Sequence, residues 1–146
     1  MNNSKNNAAK VADFLLQINA VKLQPSNPFK WASGWNSPIY CDNRKILAYP
    51  KIREFIKNEF ISLIKEFDTP TCIAGVATGG IAIGAIVAEE LGLPFCYVRS
   101  ESKSHGMKNN IEGDLKQDDK VFVTEDLIAS GQSSIKSVKD LKEFGV

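Results

Sequence analysis

The sequence predicts an α/β domain: a parallel sheet flanked by helices, preceded by a small N-terminal cap. Three observations predict it. Continuous apolar runs at residues 71–76, 94–98 and 120–124 read as strands buried on both faces. Helical patterns at residues 49–67, 81–91 and 133–144 alternate with those runs, as parallel β/α units require. The chain has 146 residues, 43% hydrophobic and 24% charged, which suits one globular domain with a core of its own.

Residues 1–7 are polar and read as a disordered tail. Val11, Phe14, Leu15 and Ile18 recur at helical spacing, predicting an amphipathic helix over residues 8–20. The Pro/Asn-rich stretch 24–28 breaks it. Residues 29–34 and 37–42 read as two short strands around a turn at Gly34. Residues 8–45 thus form the cap, and 46–146 the α/β core. In that core Ile52, Phe55, Ile56, Phe60, Leu63, Ile64 and Phe67 make one stripe of a helix over 49–67, which Asp68-Thr69-Pro70 stops. The strand 71–76 leads into a loop at 77–80 and a small-residue helix over 81–91, closed by Gly92. After the strand 94–98, residues 99–113 lack any period and read as one long mobile loop, a length more typical of function than of connection. The strand 120–124, a loop 125–132 and the helix 133–144, closed by Gly145, complete the pattern. A further strand is expected next, so the sheet is expected to be incomplete at Val146.

Charge and cysteines bound the function. Eighteen Lys and Arg against 17 Asp and Glu leave +1, without the bulk basic field of a nucleic-acid binder. Cys41, Cys72 and Cys96 form no CxxC and sit in strand-like runs, which predicts reduced thiols rather than a disulfide framework or a zinc site. No apolar run approaches a membrane span, and the N-terminus has no apolar h-region. The expectation is a soluble cytoplasmic protein.

The strongest chemical signal runs from Val121 to Ser134. A buried strand delivers Glu125 and Asp126 to its C-terminal edge, followed by a loop of small and hydroxyl residues and the start of a helix. A helix N-terminus suits a phosphate, with Ser130, Ser133 and Ser134 as added donors. The carboxylates suit ribose hydroxyls or a water-coordinated Mg²⁺. The pattern implies a sugar phosphate; the alternative is a corner whose acidic pair caps the helix. GxxxxGK[ST] is excluded because Ile81 follows Gly80, and residues 78–84 do not spell GxGxxG. The Thr78-Gly79-Gly80 turn lies at a strand end, where it either approaches a diphosphate or packs helix against sheet. Arg99, Lys103 and the sole histidine, His105, fall within seven residues. They make either a solvated loop or a cationic lid over a diphosphate. Ser33-Gly34 through Ser37-Pro38-Ile39-Tyr40 reads as a hairpin with core aromatics or as a wall of a base pocket.

Taken in order, Ser33-Gly34…Ser37-Pro38-Ile39-Tyr40, Gly75-Val76-Ala77-Thr78-Gly79-Gly80, Arg99…Lys103…His105-Gly106 and Glu125-Asp126-Leu127-Ile128 resemble the orotate phosphoribosyltransferase family. The resemblance implies a Rossmann-like, type I phosphoribosyltransferase fold. It also implies transfer of ribose 5-phosphate from 5-phosphoribosyl 1-diphosphate to orotate in pyrimidine synthesis, with Mg²⁺ as cofactor, held mainly by substrate and water. A homodimer whose mobile loop serves the neighbouring site is implied as well.

By position, Glu125 and Asp126 would hold the ribose hydroxyls within the donor loop Leu127, Ile128, Ala129, Ser130, Gly131, Gln132 and Ser133, with Ala129 to Ser133 on the 5′-phosphate. Thr78 and Gly79 would lie near the diphosphate, and Arg99, Lys103 and His105 would bind it. Lys103, with Glu125 and Asp126, would act on the reacting groups. Tyr40 and Ala129 would stand beside orotate. Two positions depart from the family's pattern: Ala129 stands where Ser or Thr is usual, and Gln132 where Gly is frequent. The family also runs on for roughly a third more chain. The alternatives are a non-catalytic sensor or inactive fragment of the same fold, and a transferase for another base.

Overall fold

The computed structural model describes residues 2–31, 33–67, 69–99 and 110–146. They fall into two compact units, Met1–Glu59 and Phe60–Val146.

The first unit begins with helix α1, Asn2–Gln17. Residues 2–7, expected as a disordered tail, are its first turns. A nucleated helix extends at little cost per residue, and the Asn7 amide donates to Glu59 Oε2 at 2.5 Å. The helix ends three residues earlier than expected, with Asn19 in the left-handed region (φ 52°). The chain then enters strand β1, Val21–Leu23, which pairs antiparallel with β4, Ile39–Cys41. The expected hairpin is present in shortened form: β2, Phe29–Lys30, pairs with β3, Asn36–Ser37. Gly34, at φ 87°, supplies the turn. Proline cannot donate to a ladder, so Pro38 splits the second run into two strands. A 3-10 segment, Asn43–Ala48, leads into helix α2, Pro50–Ile64. Ile18, Ala20, Ile46 and Ile52 make the core of this unit.

The second unit is a four-stranded sheet with two further helices. Strands β5 (Cys72–Val76), β6 (Phe95–Val98) and β8 (Val121–Thr124) are parallel, with β5 between the others. Helix α3, Gly79–Leu91, joins β5 to β6, and Gly92 at φ 66° closes it with its N–H on the carbonyls of Ala88 and Glu89. Helix α4, Gln132–Phe144, follows β8. The wholly parallel sheet expected from sequence is corrected at one edge. Strand β7, Ile111–Glu112, runs antiparallel to β6, with Tyr97 opposite Glu112 and Val98 opposite Ile111. The expected loop 99–113 therefore closes on a short ladder at its base, and residues 100–109 lie outside the described residues. Cys72, Ala74, Cys96, Val98, Ile111, Leu115 and Leu141 form the core on the α4 side. All three cysteines are free thiols; burial raises the thiol pKa of Cys72 and pushes that of Cys96 up to about 12.

Glycines set how closely α3 approaches the sheet. A Cβ on Gly75 would stand 2.7 Å from the Gly80 carbonyl oxygen, and one on Gly80 would overlap the Thr124 carbonyl oxygen. Thr124 is fully buried, and its hydroxyl donates to the Ala74 carbonyl at 3.3 Å. This seam holds the ends of β5 and β8 and the start of α3 at one edge of the sheet.

Candidate active site

Each parallel strand ends at that edge, where open α/β sheets bind ligands. After β5 come Ala77, Thr78 and Gly79, with a cis Ala77–Thr78 peptide. Thr78 is exposed and Gly79 half-buried. After β6 comes Arg99, whose N–H donates to the Asn110 carbonyl at 2.8 Å. The Ala77 N–H donates to the Val98 carbonyl at 2.9 Å, so Arg99 stands directly beside the Thr78 turn. After β8 come Glu125 and Asp126.

The acidic pair meets the glycine turn. A Cβ on Gly79 would overlap the Asp126 carboxylate, so the turn lies directly against that carboxylate and glycine leaves it room. Glu125 is partly buried. Removal from water pushes its carboxyl up to about 7; the Ser134 hydroxyl, donating to Oε2 at 3.2 Å, opposes the rise, and the negative Asp126 adds to it. Ser134 was expected to serve a phosphate; its hydroxyl is instead engaged by Glu125, because a half-buried carboxylate attracts the nearest donor.

Leu127, Ile128, Ala129 and Ser130 follow as an exposed loop. Gly131, at φ 78°, turns the chain into α4, and no side chain caps that helix start. Gln132 and Ser133 are exposed at its first turn. An uncapped N-terminus beside small exposed residues presents backbone N–H groups to an anion.

The structure thus brings Thr78, Gly79, Arg99, Glu125, Asp126 and the 127–133 loop to one edge. Lys103 and His105 lie outside the described residues. Tyr40 lies in the first unit, on β4, with its ring centroid 5.4 Å from that of Phe29. Sequence reasoning missed the partner of Arg99: its Nη1 lies 3.2 Å from Glu112 Oε1 on β7. Among the described residues, no group of three or more His, Cys, Asp or Glu side chains is placed to hold a metal ion. The adjacent carboxylates suit a hard cation bound chiefly through substrate oxygens and water, as Mg²⁺ tends to be.

The phosphoribosyl transferase domain family matches residues 43–146. The chain belongs to the phosphoribosyltransferase family. Orotate phosphoribosyltransferase of Porphyromonas gingivalis is 57% identical over 136 residues, covering 92% of this chain and 65% of that protein. That of Bacteroides thetaiotaomicron is 56% identical over 142 residues, covering 97% and 67%. Among solved structures, orotate phosphoribosyltransferase from Aeropyrum pernix superposes with a TM-score of 0.79 at 30% identity, covering 92% of this chain and 75% of that one. The chain therefore spans about two-thirds of the length of these phosphoribosyltransferase relatives, and they place it in the orotate branch of the family.

Proposed function

We propose that this chain carries the donor-binding part of an orotate phosphoribosyltransferase. It would transfer ribose 5-phosphate from 5-phosphoribosyl 1-diphosphate to orotate, giving orotidine 5′-monophosphate and diphosphate. The observation that carries the reading is the closure of the Gly79 turn on the Asp126 carboxylate, beside the uncapped start of α4. Acceptors for hydroxyls and donors for a phosphate then lie side by side, which a ribose phosphate needs at once.

Glu125 and Asp126 accept hydrogen bonds from the ribose hydroxyls. The backbone from Ala129 to Ser133 binds the 5′-phosphate, and the dipole of α4 favours its charge. The Thr78–Gly79 backbone and the Arg99 guanidinium face the diphosphate. Lys103 and His105 take their diphosphate roles from the sequence pattern, with Lys103 supporting departure of the leaving group. Breaking the anomeric C–O bond moves negative charge onto that leaving group, and cations aimed at it lower the barrier. Mg²⁺, bound with the donor, supplies further charge neutralisation. Tyr40 and Ala129 are assigned to the orotate side; Ala129 offers backbone only, which throws base recognition onto other groups. A homodimer sharing the 99–113 loop and a cytoplasmic setting complete the reading. Among the described residues no helix is long and apolar enough to cross a membrane.

The test is turnover. With 5-phosphoribosyl 1-diphosphate and Mg²⁺, orotate should release diphosphate, while uracil, hypoxanthine and adenine should not. Release with another base sinks the orotate assignment. Donor binding without release from any base favours a sensor of the sugar diphosphate.

A further inference from the structure

We propose that Glu112 is a positioning residue for Arg99, holding its guanidinium ready for the diphosphate of the donor. The inference rests on the functional reading above and extends it to a strand that carries no expected site residue. Three observations support it. The β6–β7 ladder sets Tyr97 opposite Glu112, and Arg99 N–H continues it onto the Asn110 carbonyl. Residues two apart share a face of a strand, so Arg99 and Glu112 are diagonal neighbours within reach of long side chains. The pair is closed, Nη1 to Oε1 at 3.2 Å, with the two side chains 31% and 29% exposed.

A free arginine side chain samples many rotamers, and binding an anion must halt them all. A carboxylate that already holds one of five N–H donors removes much of that cost and leaves the others for a phosphate oxygen. Such a pair is only half screened by water, so it retains geometric force where a fully exposed pair would not. The carboxylate also bears a negative charge near the incoming anion. That repulsion acts at longer range through water, while the hydrogen bond fixes the donor directly. The positioning effect therefore wins.

Inorganic diphosphate with Mg²⁺, titrated calorimetrically, reads the pair without any base or turnover. Failure of orotate transfer alone leaves this test intact. Glu112→Ala and Glu112→Val both remove the acceptor, the second with a side chain suited to a strand. Each should weaken diphosphate binding about tenfold, whereas Glu112→Gln, which keeps an oxygen acceptor, should stay within about threefold. In an Arg99→Ala background the Glu112 substitutions should add no further loss. Equal loss in both backgrounds would reduce Glu112 to support for the ladder and overturn the proposal. Unchanged or tighter binding by both variants, or no diphosphate binding by the wild type, would overturn it as well.

Discussion

Gly80→Ala should cost about 3 kcal/mol of stability, at the upper end of what overpacking a closed seam costs. The added Cβ would overlap the Thr124 carbonyl oxygen and sit 3.3 Å from Glu125 Cα, both backbone atoms of the strand end. Neither can swing aside like a side-chain tip. The Gly80 carbonyl is itself pinned where a Cβ on Gly75 would stand, so α3 cannot retreat without opening the β5 side. The strain must move the end of β8, and Glu125 and Asp126 follow it directly. Donor binding should therefore fall along with stability. A control separates this from the general cost of replacing a glycine. Gly92→Ala meets open space at φ 66° and should cost only about 1 kcal/mol, with donor affinity unchanged. Urea unfolding of both variants decides the matter: equal midpoints would show that the seam yields.

The same seam shows what was legible in the sequence. Strands β5, β6 and β8 announce themselves as short apolar runs, although only β5 is buried throughout; β6 is buried at alternate positions and β8 fully at Thr124 alone. Helix α2 announces itself through a stripe from Ile52 to Ile64. Glu125 and Asp126 were legible because their chemistry is local: a buried strand must end where its carboxylates begin. What escaped was long-range or too short for a period. Strand β7 is two residues, Ile111 and Glu112, and exists only through its register with β6. The Arg99–Glu112 pair follows from that register, so no reading of either segment alone finds it. Strand β1 fell between the helix expected to end at residue 20 and the break at 24–28, because three residues show no period and the strand exists only through its antiparallel pairing with β4. Ser134 changed partner because the half-burial of Glu125 is a tertiary fact.

Glu125→Gln should weaken donor binding about 30-fold at pH 8 and, in the ligand-free protein, raise stability at the same pH. Both effects follow from one carboxyl whose pKa burial pushes up to about 7, against an ordinary 4.5. A carboxyl raised on folding binds its proton more tightly in the native state. Its contribution to stability is thus fully present below about pH 4.5 and is lost as pH climbs through about 7. Above that, the native state holds a half-buried anion beside the Asp126 carboxylate, with the Ser134 hydroxyl and the Asp126 backbone N–H in compensation. Glutamine carries no charge to desolvate, so the variant should gain about 1 kcal/mol at pH 8, with the gain vanishing near pH 4. In the proposed site the ionised carboxylate is also what would accept from the ribose hydroxyls, and hydrogen bonds to a charged acceptor are worth more than those to an amide oxygen. Wild-type donor affinity should therefore rise with pH through about 7, while the variant keeps only the step near pH 6 expected of the phosphate itself. Calorimetric titration from pH 5.5 to 8.5, beside thermal unfolding over the same range, measures both. A variant that binds as tightly as the wild type would remove Glu125 from the ribose site, and one that loses stability at pH 8 would overturn the cost assigned to its buried charge. The expected pattern is a residue that weakens the empty fold and strengthens the filled one, as a preorganised binding site requires.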